Sequence, residues 1–430
     1  MTEGAQRALA RPFRFDARAL TGRFGTPLWV LDSATVRANV AAIRAALEES
    51  RGFRVHYAAK ANPLVGVLAL VSRLGLGVEI ASQGELIAAL RAGVDPKRIL
   101  FAGPAKSDAD LDAAVRAGVG SIHVESIQEA HRLSRIAIAA GRVQRFGIRV
   151  TLPRATTESR SIIGGPAATK FGVDPDEALA RATELALLAG LRLVALHNFQ
   201  ASNVLAAGEL VAHAGRVLRF AREFFDRLGR EPDYVDVGGG LGVTYSPDEA
   251  GLDLAALAEG LLGARSAAGF GDAVLLTLEP GRAVVASAGV YLCTVIATKR
   301  VAGVDYLLVD GGIHGLLRPA LIGSAHPIAR ADSDAPATRR YTIAGPLCTG
   351  LDVLGREVAL PETGPGDLLA IGRAGAYGAT ESMPWFLSHP APAEVLLLDG
   401  EAHVLRRRQE PEAWLAIQEL PRELRAGPGG

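Results

Sequence analysis

Short, β-rich apolar runs recur through the first two thirds of this chain at near-constant spacing, with room for a helix in each gap. The runs are Val55–Ala58, Gly77–Ile80, Ile99–Ala102, Ser121–Val124, Phe146–Val150, Leu193–Leu196, Tyr234–Val237 and Ala273–Leu278. The first five lie about 21 to 25 residues apart, the length of one strand plus one helix with their turns. Helices are predicted over Glu85–Ala92, Asp108–Ala117, Ile127–Ala140, Asp176–Ala189 and Glu209–Leu228. Each ends near a glycine (Gly93, Gly118, Gly141, Gly190, Gly229), a common helix stop. Eight strand–helix units over roughly 250 residues predict an α/β fold of the (β/α)8 barrel type, with an open doubly wound sheet as the competing arrangement. After Gly281 the texture changes. Val284–Ile296, Tyr306–Val309, Val353–Val358, Leu368–Ile371 and Glu394–Leu398 read as strands with few helical periods between them, so a C-terminal β-rich domain (β-barrel or sandwich) is expected. The expected division is 30–280 for the barrel, 1–29 with 281–421 for the β-rich domain, and 422–430 for a frayed tail.

Composition works by exclusion. The 46 basic and 46 acidic side chains balance without a long run of either sign. No nucleic-acid or membrane surface is expected, and a small molecule is the default partner. Cys293 and Cys348 are too few for a disulfide framework or a cysteine metal cluster, and no metal site is expected. The N-terminal MTEGAQRALARPF lacks a signal peptide's apolar stretch, and Val274–Ala297 is broken by Glu279, Pro280 and Arg282. A cytoplasmic location is expected.

In such barrels the active site lies at the C-terminal ends of the strands. There this sequence places Lys60 (HYAAKANP), Glu79 and Ser82, Glu125, Arg149, the LHNFQASN segment with His197, Phe199 and Ser202, the DVGGGLG loop, and LEPGR. A lysine, a glycine cradle and a carboxylate together suit pyridoxal phosphate. The lysine amine condenses with the cofactor's aldehyde, and Gly238–Gly240 let backbone N–H groups approach a phosphate. A carboxylate, for which Glu279 stands, keeps the pyridine nitrogen protonated so that the ring accepts electrons. Singly, each has a plainer reading: a solvated lysine, a tight turn, a surface or helix-capping glutamate.

Taken in order, these segments resemble the fold-type III pyridoxal-phosphate decarboxylases, the family of diaminopimelate and ornithine decarboxylases. HYAAKAN, EIASQGEL, KFG (Lys170–Gly172), GGGLG, EPGR, GPLCTGLD (Gly345–Asp352) and GAYG (Gly375–Gly378) match in order and spacing over nearly the whole chain. The resemblance implies that Lys60 carries the cofactor and Glu279 pairs with its ring nitrogen. It implies that Gly239, Gly240, Gly281, Arg282, Ser202 and Tyr377 hold the phosphate or its surroundings. Arg318 would bind a substrate carboxylate, with Cys348, Thr349 and Asp352 completing the site. It further implies a homodimer whose sites are shared, Cys348 coming from the partner subunit.

The departures concern the substrate. Where diaminopimelate enzymes stack a histidine on the cofactor, this chain aligns Phe199, which leaves His197 without an assigned role. Thr349 stands where those enzymes read a distal amine with glutamate and the ornithine enzymes have aspartate. Ile322 replaces a tyrosine usual after the substrate arginine. An unpaired buried ammonium is costly, so the expected substrate is an amino acid whose distal end is conjugated, carrier-protein-bound or otherwise uncharged. Related decarboxylases of conjugated or carrier-linked amino acids resemble this chain in the phenylalanine and the threonine. Glu381 is the acidic residue that could replace the missing reader. The alternatives are an authentic diaminopimelate decarboxylase, an isomerase like alanine racemase, and a non-catalytic pyridoxal-phosphate carrier. Glu279 and GPLCTGLD speak against the isomerase, which sets an arginine against the ring nitrogen. The second domain speaks against the carrier.

Overall fold

The computed structural model describes residues 13–47, 51–152, 169–199, 202–323 and 325–425. They form two compact units, one drawn from residues 32–288 with 375–377, the other from 13–31, 289–374 and 378–425. The first strand, β1 (Leu28–Asp32), pairs within the second unit. The first unit is a closed parallel barrel. Its strands in order are β2 (Phe53–Ala58), β3 (Gly77–Ile80), β4 (Ile99–Phe101), β5 (Ser121–Val124), β6 (Gln144–Arg149), β7 (Leu191–His197), β8 (Tyr234–Asp236) and β9 (Leu275–Leu278). Closure is made by β9 on β2, with Phe53 opposite Leu276 and Val55 opposite Leu278. All eight strands expected from the sequence are present, and the barrel rather than the open sheet is the architecture.

The connecting helices follow from local chemistry. Ser107 and Asp110 form a reciprocal capping box that starts the helix Asp108–Ala117. Leu111, Ala114 and Val115, at three- and four-residue spacing, turn one apolar face to the barrel, and Gly118 ends the helix in the left-handed region at φ 74°. Two expectations need correction. The helix predicted over Asp176–Ala189 is broken at Arg181 into Pro175–Ala180 and Ala182–Ala186. The strand predicted over Val284–Ile296 starts only at Gly289, because Arg282–Val285 is helical and Ala286–Ala288 is a 3-10 turn. An apolar run this short has no periodicity to separate a buried helical turn from a strand. Here Asn39 on the helix Ser33–Ala46 donates Nδ2–H to the Val284 carbonyl (2.9 Å) and bonds Ser287 Oγ, which fixes the turn.

The second unit is a nine-stranded mixed sheet. Besides β1 it contains β10 (Gly289–Val301), β11 (Val304–Val309), β12 (Ile328–Arg330), β13 (Arg339–Ala344), β14 (Val353–Leu360), β15 (Leu368–Ile371), β16 (Ala393–Leu398) and β17 (Glu401–Arg406). The main path runs β14-β13-β11-β10-β1-β16-β17, with β15 on β10 and β12. Of the expected tail, Arg422–Leu424 make a 3-10 turn and residues 426–430 lie outside the described residues. No described helix is long and apolar enough to cross a membrane.

Candidate active site

The barrel's C-terminal face collects polar groups that its apolar wall does not need. Lys60 sits in a 3-10 turn (Ala59–Ala61) immediately after β2, and its Nζ lies 2.9 Å from Glu79 Oε2 at the end of β3. Burial alone would lower the lysine pKa, but Glu79, Glu279 and Tyr377 overcome it and hold the ammonium above its usual range. Nζ also stands 5.5 Å from the centre of the Phe199 ring. The 375–377 segment is tied to the same turn: Tyr377 N donates to Ala61 O (2.8 Å), and Asn62 Nδ2 to Gly375 O (3.3 Å).

The glycine loop after β8 has little room for side chains. A Cβ on Gly239 would lie 2.3 Å from the Glu279 carbonyl oxygen, and one on Gly238, at φ +75°, would lie 2.8 Å from the Phe199 ring. Glycine at these two positions lets the loop, Phe199 and the end of β9 close on one another. Beside it Arg282, 5% exposed, donates to Tyr245 Oη (2.8 Å) and to Ser202 Oγ (3.4 Å). Its guanidinium carbon lies 4.9 Å from the centre of the Tyr377 ring. Gly281 packs on the Lys60 turn, where a Cβ would meet Ala61 Cβ at 2.8 Å. The structure thus brings Lys60, Phe199, Ser202, Gly239, Glu279, Gly281, Arg282 and Tyr377 into one unit.

Under Glu279 lies a cluster not anticipated in the sequence. The donor atoms of His123, His197, Asp236 and Glu279, all buried, fall within 4.8 Å of one another. Burial, Asp236 and Glu79 push the Glu279 carboxyl well above its usual pKa, so a proton sits on the Asp236–Glu279 pair. Burial, then His123 and Arg149, keep His197 neutral. The 3.7 Å approach of His197 Nε2 to Glu279 Oε2 is therefore a dipolar contact, not an ion pair. His123 Nε2 lies 2.9 Å from Tyr234 Oη, and its ring is 4.8 Å from that of His197. Glu279 Oε1 is buried without a hydrogen-bond partner among the described residues. A carboxyl kept neutral only by burial and neighbouring acids ionises when a cation arrives beside it.

Glu125 and Arg149 form a buried pair at 2.5 Å. Glu125 also accepts from Gly172 N (3.0 Å), while Arg149 lies over the Phe171 ring at 4.6 Å, which docks the KFG segment on the barrel.

The remaining sequence-derived residues belong to the other unit. Arg318, 6% exposed, pairs with Glu381 at 3.1 Å. Asp352 is buried and directs its two carboxylate oxygens to Ile313 N and Leu347 N, each at 2.7 Å, fixing the turn before Cys348. Cys348 is exposed, and Thr349, next to it, accepts from Leu351 N (3.2 Å).

A family profile described as "Pyridoxal-dependent decarboxylase, pyridoxal binding domain" matches residues 33–286. The chain belongs to the pyridoxal-dependent decarboxylases. It is 35% identical over 416 residues to the diaminopimelate decarboxylase of Methanothermobacter thermautotrophicus, covering 95% of each chain. It is also 31% identical over 412 residues to the L-glutamyl-[BtrI acyl-carrier protein] decarboxylase of Niallia circulans, covering 93% of this chain and 95% of that one. The crystal structure of diaminopimelate decarboxylase from M. jannaschii superposes with a TM-score of 0.88 at 28% identity, covering 95% of each. The protein is a pyridoxal-phosphate-dependent carboxy-lyase that decarboxylates an amino acid or amino-acid derivative. Its own residues fit that cofactor: the buried Arg282 beside the glycine loop suits a phosphate, and the buried Glu279 carboxyl, which no N–H donor among the described residues reaches at Oε1, suits a ring nitrogen.

The barrel core also fixes how acid acts on the fold. Burial first, then Arg54, His123 and Arg98, lower the His56 pKa from 6.5 to about 3. Between those values only the unfolded chain carries this proton, so the stability that neutral His56 contributes is complete above pH 6.5 and lost as pH falls toward 3. Glu85 and Asp236, both raised to about 7, act in the opposite direction, so the test is a difference. In denaturant titrations from pH 6.5 to 4.5, His56→Gln is expected to gain on wild type by up to about 1.4 kcal/mol per pH unit. A constant offset would show that His56 protonates equally in both states.

Proposed function

We propose that this enzyme decarboxylates an α-amino acid whose distal end is uncharged, amide-linked or attached to a carrier, within a homodimer whose sites draw on both subunits. The observation that carries the reading is Thr349, a hydroxyl beside Cys348 where the resemblance calls for an acidic reader of a second amine. Ile322 removes another polar group nearby in sequence, and Glu381 is engaged by Arg318. The acyl-carrier-protein relative supports the same reading. Free diaminopimelate is the second reading, favoured by the 35% identity to a decarboxylase of that compound.

The bound cofactor supplies an electron sink for the carbanion left by loss of CO2. Lys60 would hold it through its amine, which Glu79 positions from 2.9 Å away. Glu279 would ionise against the ring nitrogen, with His197, His123 and Tyr234 behind it. Gly239, Gly240, Gly281, Ser202, Arg282 and Tyr377 would surround the phosphate, and Phe199 would pack on the ring face. Arg318 would bind a substrate carboxylate, Cys348 would donate a proton to the product carbon, and Asp352 would set the Cys348 turn. The exposure of Cys348 in the single chain favours its delivery to the partner's site. A cytoplasmic location is proposed with the biosynthetic role.

CO2 release from diaminopimelate, ornithine, lysine, glutamate and amide-conjugated or carrier-bound amino acids tests the substrate. The conjugated or carrier-bound compounds should exceed free diaminopimelate in kcat/KM by at least tenfold, and the reverse order would leave the second reading standing. The shared site is tested by mixing inactive Lys60→Ala and Cys348→Ala subunits. Activity should return, toward a quarter of wild type, because hybrid dimers keep one intact composite site. Demonstrated subunit exchange with no recovery would mean that each chain builds its own.

A further inference from the structure

At the opposite end of the barrel strands, a cavity of about 1250 Å³ opens among the strand starts, next to Phe53, Gly77, Ser121 and Gln144. On β2 its lining reaches His56, four residues before Lys60 and about 13 Å away along the strand at about 3.3 Å per residue. Seven of its described lining side chains are cationic and none is acidic. Their partners differ. Arg44 and Arg98 donate to the carbonyls of Leu74 (3.0 Å) and Gly75 (2.6 Å), so one turn aims two guanidinium groups without neutralising either. Arg145 is paired with Asp233 at 2.8 Å. Arg54, whose guanidinium carbon lies 5.9 Å from the Tyr234 ring centre, Lys97 and Arg142 have no carboxylate partner among the described residues. Arg37 adds a further charge from the helix Ser33–Ala46.

An even-handed surface intersperses acids among such cations, as the balanced total of 46 and 46 would allow. Here one sign is collected in a single concavity, which adds the fields of its charges together. His56, which also lines the cavity, is kept neutral by burial first, with Arg54 and Arg98 adding to it. Guanidinium groups gathered where no acidic side chain lines the cavity form a receptor for phosphate or carboxylate oxygens. The volume leaves room for a ligand that carries several anionic groups.

We propose that the N-terminal mouth of the barrel is a second ligand site, separate from the decarboxylase centre, for a small polyanion bearing two or more phosphate or carboxylate groups. The pyridoxal-phosphate-loaded full-length enzyme is titrated calorimetrically with pyrophosphate and, separately, with citrate at low ionic strength. Saturable binding near one per chain is expected for at least one of them. Pyrophosphate alone assigns a phosphorylated ligand, and citrate alone a polycarboxylate. An Arg54→Gln/Arg142→Gln variant should lose at least tenfold in affinity while its decarboxylase kcat/KM stays unchanged. Lys97→Gln, at an exposed position, should lose severalfold and covers the case in which the double variant misfolds. No saturable binding, or binding indifferent to all three substitutions, would overturn the site.

Discussion

Lys60→Ala is expected to lower kcat by roughly 10⁴-fold, the largest effect of any single substitution in this chain, because it removes both the cofactor's tether and a proton carrier. Folding should survive, since Lys60 lies in a 3-10 turn whose neighbours Ala59 and Ala61, not the lysine, are the buried residues. Glu79 would lose only its 2.9 Å partner. The variant protein should therefore have near-native circular dichroism with almost no CO2 release from any amino acid. A variant retaining a tenth of wild-type activity would show that another group holds the cofactor.

Glu279→Gln is expected to cost about 10²–10³ in kcat, the usual loss when one preorganised electrostatic partner of a developing charge is removed. Glutamine is neutral and cannot stabilise a protonated ring nitrogen. In the cofactor-free chain, however, the Asp236–Glu279 pair already carries a proton, and the side chain is close to an amide in charge and shape. The cofactor-free variant should thus match wild type in stability to within about 1 kcal/mol. The split between a large kinetic loss and a small stability change separates an electronic role from a structural one. Equal losses of both would assign Glu279 to packing instead.

The barrel was legible because each of its strands is a short buried run closed off by a helix and a glycine, and these signals are local. The β-rich unit was less so. β13 opens with the exposed pair Arg339 and Arg340, and β17 carries Glu401, His403 and Arg406, so neither stands out by hydropathy. β1 is four apolar residues and an aspartate, and its partner, β10, is more than 250 positions away in the chain. In the site, Lys60, the glycine loop and Glu279 could be named because motifs carry them. His123 and Asp236 could not, since each is one residue of a strand only three or four residues long. Their meaning comes from strands that meet only across the closed barrel, 113 residues apart. The one local signal was Asp236, two residues before the glycines. The Glu79 pairing is of the same kind: Glu79 was visible at a strand end, but its partner was not.

The most direct test of the account is to reduce the purified, pyridoxal-phosphate-loaded enzyme with borohydride, digest it and locate the fixed pyridoxyl group by mass spectrometry. The account predicts one modified residue per chain, Lys60, in the peptide containing HYAAKANP. Stoichiometric label on Lys106, Lys170 or any other lysine, with Lys60 unmodified, would contradict it.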